Sequence, residues 1–212
     1  QNFENYFEDF TLKNKSSNVD ADLRKTIYLI NTLDSQRFEL SKRIAELDIL
    51  ADDLHFGEGP RWHQGKLWFS DFYDYAVKTV DLEGTVATKL TVDGQPSGLG
   101  WMPDGRMLVV SMTDRMLLRL EHDFLFMHTA TTEIATFHCN DMVVDSVGRA
   151  YVGNFGFDLD AAITSGNFAA ALAEYEGATI ARVDPNGSIH EAATRLRFPN
   201  GTVITPDGTT MI

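Results

Sequence analysis

The chain has 212 residues, with 31 Asp and Glu against 18 Lys and Arg, a formal net charge of −13. So acidic a balance argues against nucleic acid and anionic membrane surfaces as partners, since both call for basic patches. The single cysteine, Cys139, excludes an intramolecular disulfide framework and any multi-cysteine zinc site.

No apolar run approaches the roughly 20 residues that span a bilayer, and the opening QNFENYFEDF is no signal peptide. A cytoplasmic protein is the expectation. Gln1 in place of Met reads as a chain processed or cut from something longer.

Residues 1–50 contain no Gly and no Pro, whereas residues 51–212 hold all 16 Gly and all 6 Pro. Because these residues punctuate turns, the shift marks a domain boundary near Ala51–Leu54. Upstream, Ser16, Ser17, Asn18 and Asp20 offer helix caps. After them Leu23, Ile27, Ile30, Leu33, Leu40, Ile44 and Leu47 recur at helical spacing. Ile30, Arg37 and Ile44 fall at heptad a positions, with Leu33, Leu40 and Leu47 at d. The segment reads as one long amphipathic helix. Two uses stand open, a coiled-coil or docking helix that makes the protein oligomeric and a helix packed on its own domain.

The remainder repeats. Segments beginning at Glu58, Ser97, Asn140 and Asn200 align, and each runs into a turn glycine, Gly65, Gly105, Gly148 and Gly208, spaced 40, 43 and 60 residues apart. A β-rich run follows each turn: KLWFSD (66–71), RMLVVSM (106–112), RAYVGNF (149–155) and TTMI (209–212). Further strands are expected at 76–82 and 85–92, at 116–121 and 126–137, and at 179–184 and 188–198. Units of this length match the four-stranded antiparallel blades of a β-propeller, so the fold class is all-β behind an α-helical N-terminal segment. The longer third interval holds residues 157–178, an insertion with helical character, open to reading as a lid or as a surface extension. Residue 212 falls inside a fourth blade, so residues 51–212 read as about three to three and a half blades, the N-terminal part of a longer propeller.

In a propeller the innermost strand of each blade lines a central channel, so equivalent positions from successive blades converge. Four residues before the Trp62, Trp101, Val144 and Ile204 positions stand Glu58, Ser97, Asn140 and Asn200, all with side-chain oxygens. One carboxylate with neutral oxygens suits a hard cation such as Ca²⁺, which takes six to eight oxygens at about 2.3–2.6 Å. Polar residues at strand starts also serve as Asx or Ser turns. Four in register around one axis favour the cation, with Glu58, Asn140 and Asn200 as the expected metal residues. His138 lies two residues before Asn140, on the same side if that stretch is a strand. Cys139 reads as a buried small hydrophobe, Trp62, Trp68 and Trp101 as core, and Asp141 as a turn cap. No Gly-x-Ser-x-Gly elbow, Walker-type loop or His-Glu-x-x-His pair is present.

The region from about Leu54 to Ile212 resembles the SMP-30/gluconolactonase/luciferin-regenerating-enzyme family of six-bladed β-propellers. The resemblance is carried by Gly57-Glu58-Gly59-Pro60 with Trp62, by Cys139 through Asp145 (CNDMVVD), and by Phe198-Pro199-Asn200-Gly201. Pro96 through Gly100 and Tyr151 through Gly156 add to it. It implies a divalent-cation-dependent hydrolase of lactones or related sugar-acid esters, with Ca²⁺ first and Zn²⁺, Mn²⁺ or Mg²⁺ as alternatives. It assigns Glu58 and Asn200 as metal ligands, with Asn140 beside the metal, contacting substrate or metal-bound water. It places His138 where many members carry a substrate-binding Arg. It also calls for an Asp from a later blade, as ligand and general base, beyond Ile212, so the 212-residue form is expected to lack a complete site. The alternatives are a propeller that binds metal and ligand without turnover, and an interaction scaffold.

Overall fold

The computed structural model describes Tyr28, Ile30 and residues 32–37 and 49–212. The chain divides into two units, Gln1–Ile49 and Leu50–Ile212. In the first, Tyr28, Ile30 and residues 32–37 are helical. The rest of the expected helix, including Leu40, Ile44 and Leu47 of the heptad seam, lies outside the described residues, and so does any test of a coiled coil. Among the described residues no helix is long and apolar enough to cross a membrane.

The second unit is built from three four-stranded antiparallel sheets, an arrangement consistent with part of a β-propeller. The first runs β1 (Gly57–His63), β2 (Lys66–Asp71), β3 (Ala76–Val80) and β4 (Val86–Thr91). The second runs β5 (Pro96–Trp101), β6 (Met107–Ser111), β7 (Met116–Glu121) and β8 (Phe124–Ala130). The third runs β9 (Cys139–Val144), β10 (Ala150–Asn154), β11 (Ala178–Val183) and β12 (Ile189–Leu196). Each is a simple meander in chain order. Beyond them Ile204 bridges Met211, and Val203 and Ile212 exchange both backbone hydrogen bonds at 2.9 Å, a short hairpin at the β-rich run expected over 209–212.

The turns explain the meanders. Gly105 and Gly148 close the first hairpins of their sheets at φ +87°, a conformation a side chain would oppose. β8 ends at Ala130 instead of running to 137, because Thr131 turns the chain. Its backbone carbonyl accepts from the Ile134 and Ala135 N–H groups, and its hydroxyl donates to the Arg115 carbonyl.

β6 shows how the sheets stack. All five of its residues are buried, which a strand covered on both faces requires. Met107 and Val109 point one way, into a cluster with Val77, Val92 and Leu99. Leu108 and Val110 point the other way, into a cluster with Leu117, Met142, Val152 and Val183. Period-two alternation thus feeds two cores, each fully buried aliphatic side chain contributing roughly 1.5–3 kcal/mol. The second sheet is sandwiched between the first and third, and β5 packs against both β1 and β9.

Trp68 and Trp101 pack against the first cluster as expected, but Trp62 is 58% exposed. It pairs with Leu67, one register step from the Arg61–Trp68 pair. Alternation therefore puts it on the face opposite Trp68, away from the second sheet.

The insertion after β10 folds into two short helices, α1 (Leu159–Thr164) and α2 (Phe168–Glu174). Asp158 caps α1 by accepting from the Ala161 N–H at 2.9 Å. Tyr175, 6% exposed, closes the excursion, with its ring against Phe157 and its hydroxyl donating to the Leu196 carbonyl.

Candidate functional site

Glu58, Ser97 and Asn140 are each the second residue of an innermost strand, β1, β5 and β9. In each of these hairpins the register breaks beside that residue. The breaks fall between Glu58 and Arg61, between Pro96 and Leu99, and between Val152 and Asn154 opposite Asn140. Such irregularities interrupt the pleat and re-aim side chains, and they recur next to binding sites. Here the three polar residues line one cavity of about 380 Å³, joined by His138 and by Asn200 from the loop after β12. Every candidate site residue read from the sequence therefore borders the same space.

Asn140 is 4% exposed, and its amide nitrogen donates to the Pro199 carbonyl at 2.7 Å. This bond ties β9 to the segment that carries Asn200. The amide oxygen is buried without a hydrogen-bond partner. It occupies the space left by Gly153, where a Cβ would stand 2.4 Å from it.

Burial pushes the Glu58 carboxyl above the usual carboxylate range, the Asp141 charge adds to the rise, and the Gly59 N–H opposes it. No cationic side chain pairs with Glu58 among the described residues. Asp141 faces Arg61, whose Nη2 lies 2.7 Å from its Oδ1 and also donates to the Met142 carbonyl. Asp141 is thus not a turn cap but one end of a link between β1 and β9.

One wall of the cavity is held by a buried ion-pair network. Asp71, fully buried, accepts from the His55 and Phe56 N–H groups at 3.1 and 2.6 Å and from Lys78 at 2.8 Å. Lys78 also reaches Asp74 at 2.6 Å. Burial alone would raise the Asp71 carboxyl, but the hydrogen bonds from Lys78 and the two backbone N–H groups outweigh it and hold it low. Ligand atoms of His55, Asp71 and Asp74 lie within 4.8 Å of one another. The Lys78 ammonium already bridges both carboxylates of this cluster, so it reads as a structural clamp. What it clamps is the chain leading into Glu58 and the 3₁₀ turn Phe72–Asp74.

The aromatic lining was not read from the sequence. Phe56, Phe72 and Tyr73 form one group, with Phe56–Phe72 centroids 4.6 Å apart and Phe72–Tyr73 centroids 4.3 Å apart. Phe155 and Phe198 stack at 5.1 Å and 22° on another part of the lining. His138 stacks on Phe137 at 4.1 Å. Leu159 and Asp160 bring the insertion to the cavity as well. Phe155 and Phe198 sit inside segments that carry the family resemblance, and that was the available signal. Cys139 is 1% exposed, and burial pushes its thiol up to about 11, so it is inert packing.

Residues 56–212 match the family described as SMP-30/Gluconolactonase/LRE-like region. The chain belongs to this family. The SMP-30/gluconolactonase/LRE-like match takes in all three sheets and every cavity residue named above. No curated protein matches the chain.

Among solved structures, a gluconolactonase from Xanthomonas campestris shares 22% identity, with a TM-score of 0.59 over 76% of this chain and 55% of that one. Regucalcin from Agrobacterium tumefaciens, described as a calcium-binding protein, shares 20% identity, with a TM-score of 0.57 over 74% of this chain and 50% of that one. A virginiamycin B lyase from Staphylococcus aureus shares 13% identity, with a TM-score of 0.52 over 74% of this chain and 48% of that one. The chain thus spans about half the length of the solved structures it matches. At these identities the likeness speaks for the fold.

The oxygen set fits a hard divalent cation. Glu58 supplies a carboxylate without a cationic partner, Asn200 and Ser97 supply neutral oxygens, and the buried Asn140 oxygen lacks a donor. Among the described residues no sulfur ligand other than Met112 lines the cavity, which weighs against a soft-metal site.

Proposed function

We propose that the protein is a divalent-cation-dependent lactone hydrolase built on a six-bladed propeller, with the cavity as its active site. The observation that carries this reading is the convergence of Glu58, Ser97, Asn140 and Asn200 on one cavity. Residues separated by up to 142 positions (58 to 200) meet where a repeat architecture brings the starts of inner strands together. Family membership supports the reaction class.

In this reading Glu58 and Asn200 hold the cation, with Ca²⁺ the best match to their hard oxygens. When bound, the cation supplies Lewis-acid polarisation of the lactone carbonyl. The residues of this chain bind and orient. Asn140, fixed by its bond to the Pro199 carbonyl, presents its amide beside the reacting carbonyl. Glu58 acts ionised, so the burial that raises its pKa also favours its pairing with a cation. His138, stacked on the Phe137 ring, contacts the substrate from the cavity wall. The aromatic lining limits water around the carbonyl.

The test is proton release on lactone hydrolysis, followed at constant pH with added Ca²⁺. Glu58→Gln and Asn200→Ala should each lower turnover by more than about tenfold, and unchanged turnover in both would defeat the assignment. The calcium-binding description of regucalcin favours one second reading, a propeller that holds a cation without turnover. Cation binding with no proton release from any lactone would select it.

A further inference from the structure

β8 is the outer edge of the second sheet, and no residue of it lines the cavity. Outer strands usually carry charges that discourage pairing with another chain. β4 has Lys89, and β12 has Glu191 and Arg195. β8 reads FLFMHTA, without Lys, Arg, Asp, Glu or Pro. Its Phe124, Phe126 and Met127 are 69%, 50% and 61% exposed.

The turn before β8 determines which backbone groups are free. His122 and Asp123, at φ +48° and +68°, form a two-residue loop across which Glu121 pairs with Phe124. Residues flanking such a loop bond to each other, and ladder alternation then turns the N–H and C=O of Phe124 and Phe126 toward β7. Those of Leu125 and Met127 point away from the sheet, where no further strand lies.

We infer that β8 is a self-association edge, pairing antiparallel with β8 of a second copy about a two-fold axis through Leu125. In that register the Leu125 N–H and C=O of each copy bond their counterparts. Phe124 of each copy lies opposite Phe126 of the other, giving two aromatic cross-strand pairs. Met127 lies opposite Asp123, so no like charges face each other. Centring on Met127 instead would run the ladder into the register shift between Met127 and Thr129. The edge thus complements itself, as a two-fold contact requires, which favours a second copy over an unrelated strand. Burying the exposed parts of these side chains with the edge backbone removes roughly 1,000 Å² from water over both copies, where specific interfaces begin. A contact of that size between chains of charge −13 makes a weak dimer that needs salt to screen it.

The test is sedimentation equilibrium of the full natural chain in about 0.5 M salt, over about 1 μM to 1 mM protein. The unaltered protein should pass from monomer to dimer across that range. Phe124→Lys should weaken the dimer by more than about tenfold. Adding Phe126→Glu sets opposite charges across both cross-strand pairs and should recover about threefold or more of the loss. Both side chains are at least half exposed, so an unchanged Tm verifies that each variant is folded. A monomer at every concentration overturns the inference and needs no variant. A dimer indifferent to Phe124→Lys overturns it too, since the contact then lies elsewhere. A double variant no tighter than the single overturns the register.

Discussion

Arg61 on β1 reaches Asp141 on β9, its Nη2 2.7 Å from the carboxylate oxygen across 80 positions of sequence. The same guanidinium donates to the Met142 carbonyl, so one side chain joins the first and third sheets past β5. Three residues before Arg61 stands Glu58, and one before Asp141 stands Asn140. The link therefore fixes the spacing of two cavity residues and pairs the carboxylate whose charge adds to the rise at Glu58.

Removing one partner strands a charge that is 6% exposed at Asp141. Arg61→Ala should cost about 3 kcal/mol in urea unfolding. Arg61→Met combined with Asp141→Leu should cost less than Arg61→Ala alone, because no unpaired charge remains. Equal losses in the single and double variants would show that packing, not charge, is what the link supplies.

The Asp71–Lys78 pair predicts a pH window. The Asp71 carboxyl is depressed, so its contribution is complete above the ordinary Asp value of 3.8 and fades as pH falls through its lower folded value. Burial would lower Lys78, but its bonds to Asp71 and Asp74 outweigh that and raise it. Its contribution holds below the ordinary 10.5 and is lost above, through its higher folded value. The difference in Tm between the protein and its Lys78→Met variant should be flat from about pH 4 to 10 and shrink outside those limits. A difference that grows below pH 4 would contradict the assignment.

Gly153 makes room for Asn140. A Cβ at 153 would stand 2.4 Å from the Asn140 oxygen and 3.1 Å from the Pro199 carbonyl. Gly153→Ala should destabilise the fold by roughly 1–3 kcal/mol through overpacking and weaken cation or ligand binding with it. Binding that is unchanged would mean that the Asn140 position does not matter to the site.

Much of the architecture was legible in the sequence because propeller repeats write it locally. β2 and β7 fall on the expected KLWFSD and MLLRLE runs, and the four turn glycines all adopt positive φ. The polar cavity positions were legible for the same reason, since alignment of the repeats put Glu58, Ser97, Asn140 and Asn200 in register. Contacts between blades were not. Arg61–Asp141 and Asn140–Pro199 join residues 80 and 59 positions apart with no local pattern to mark them. Phe56 and Phe72 sit outside the expected runs, and Phe155 and Phe198 end the runs 149–155 and 188–198, so no shared repeat position marks the four as neighbours and their gathering appears only in three dimensions. Trp62 misled because a large aromatic in a strand argues for burial until register decides which face it takes.

The central claim is that Glu58 and Asn200 share a cation, and calorimetric titration of Ca²⁺ into the full natural chain tests it most directly. The account predicts one site per chain, weakened by more than about tenfold in both Glu58→Gln and Asn200→Ala, with a Ca²⁺-dependent rise in Tm that both variants lose. Calcium binding of equal strength in the unaltered protein and both variants, or none in any of the three, would contradict it.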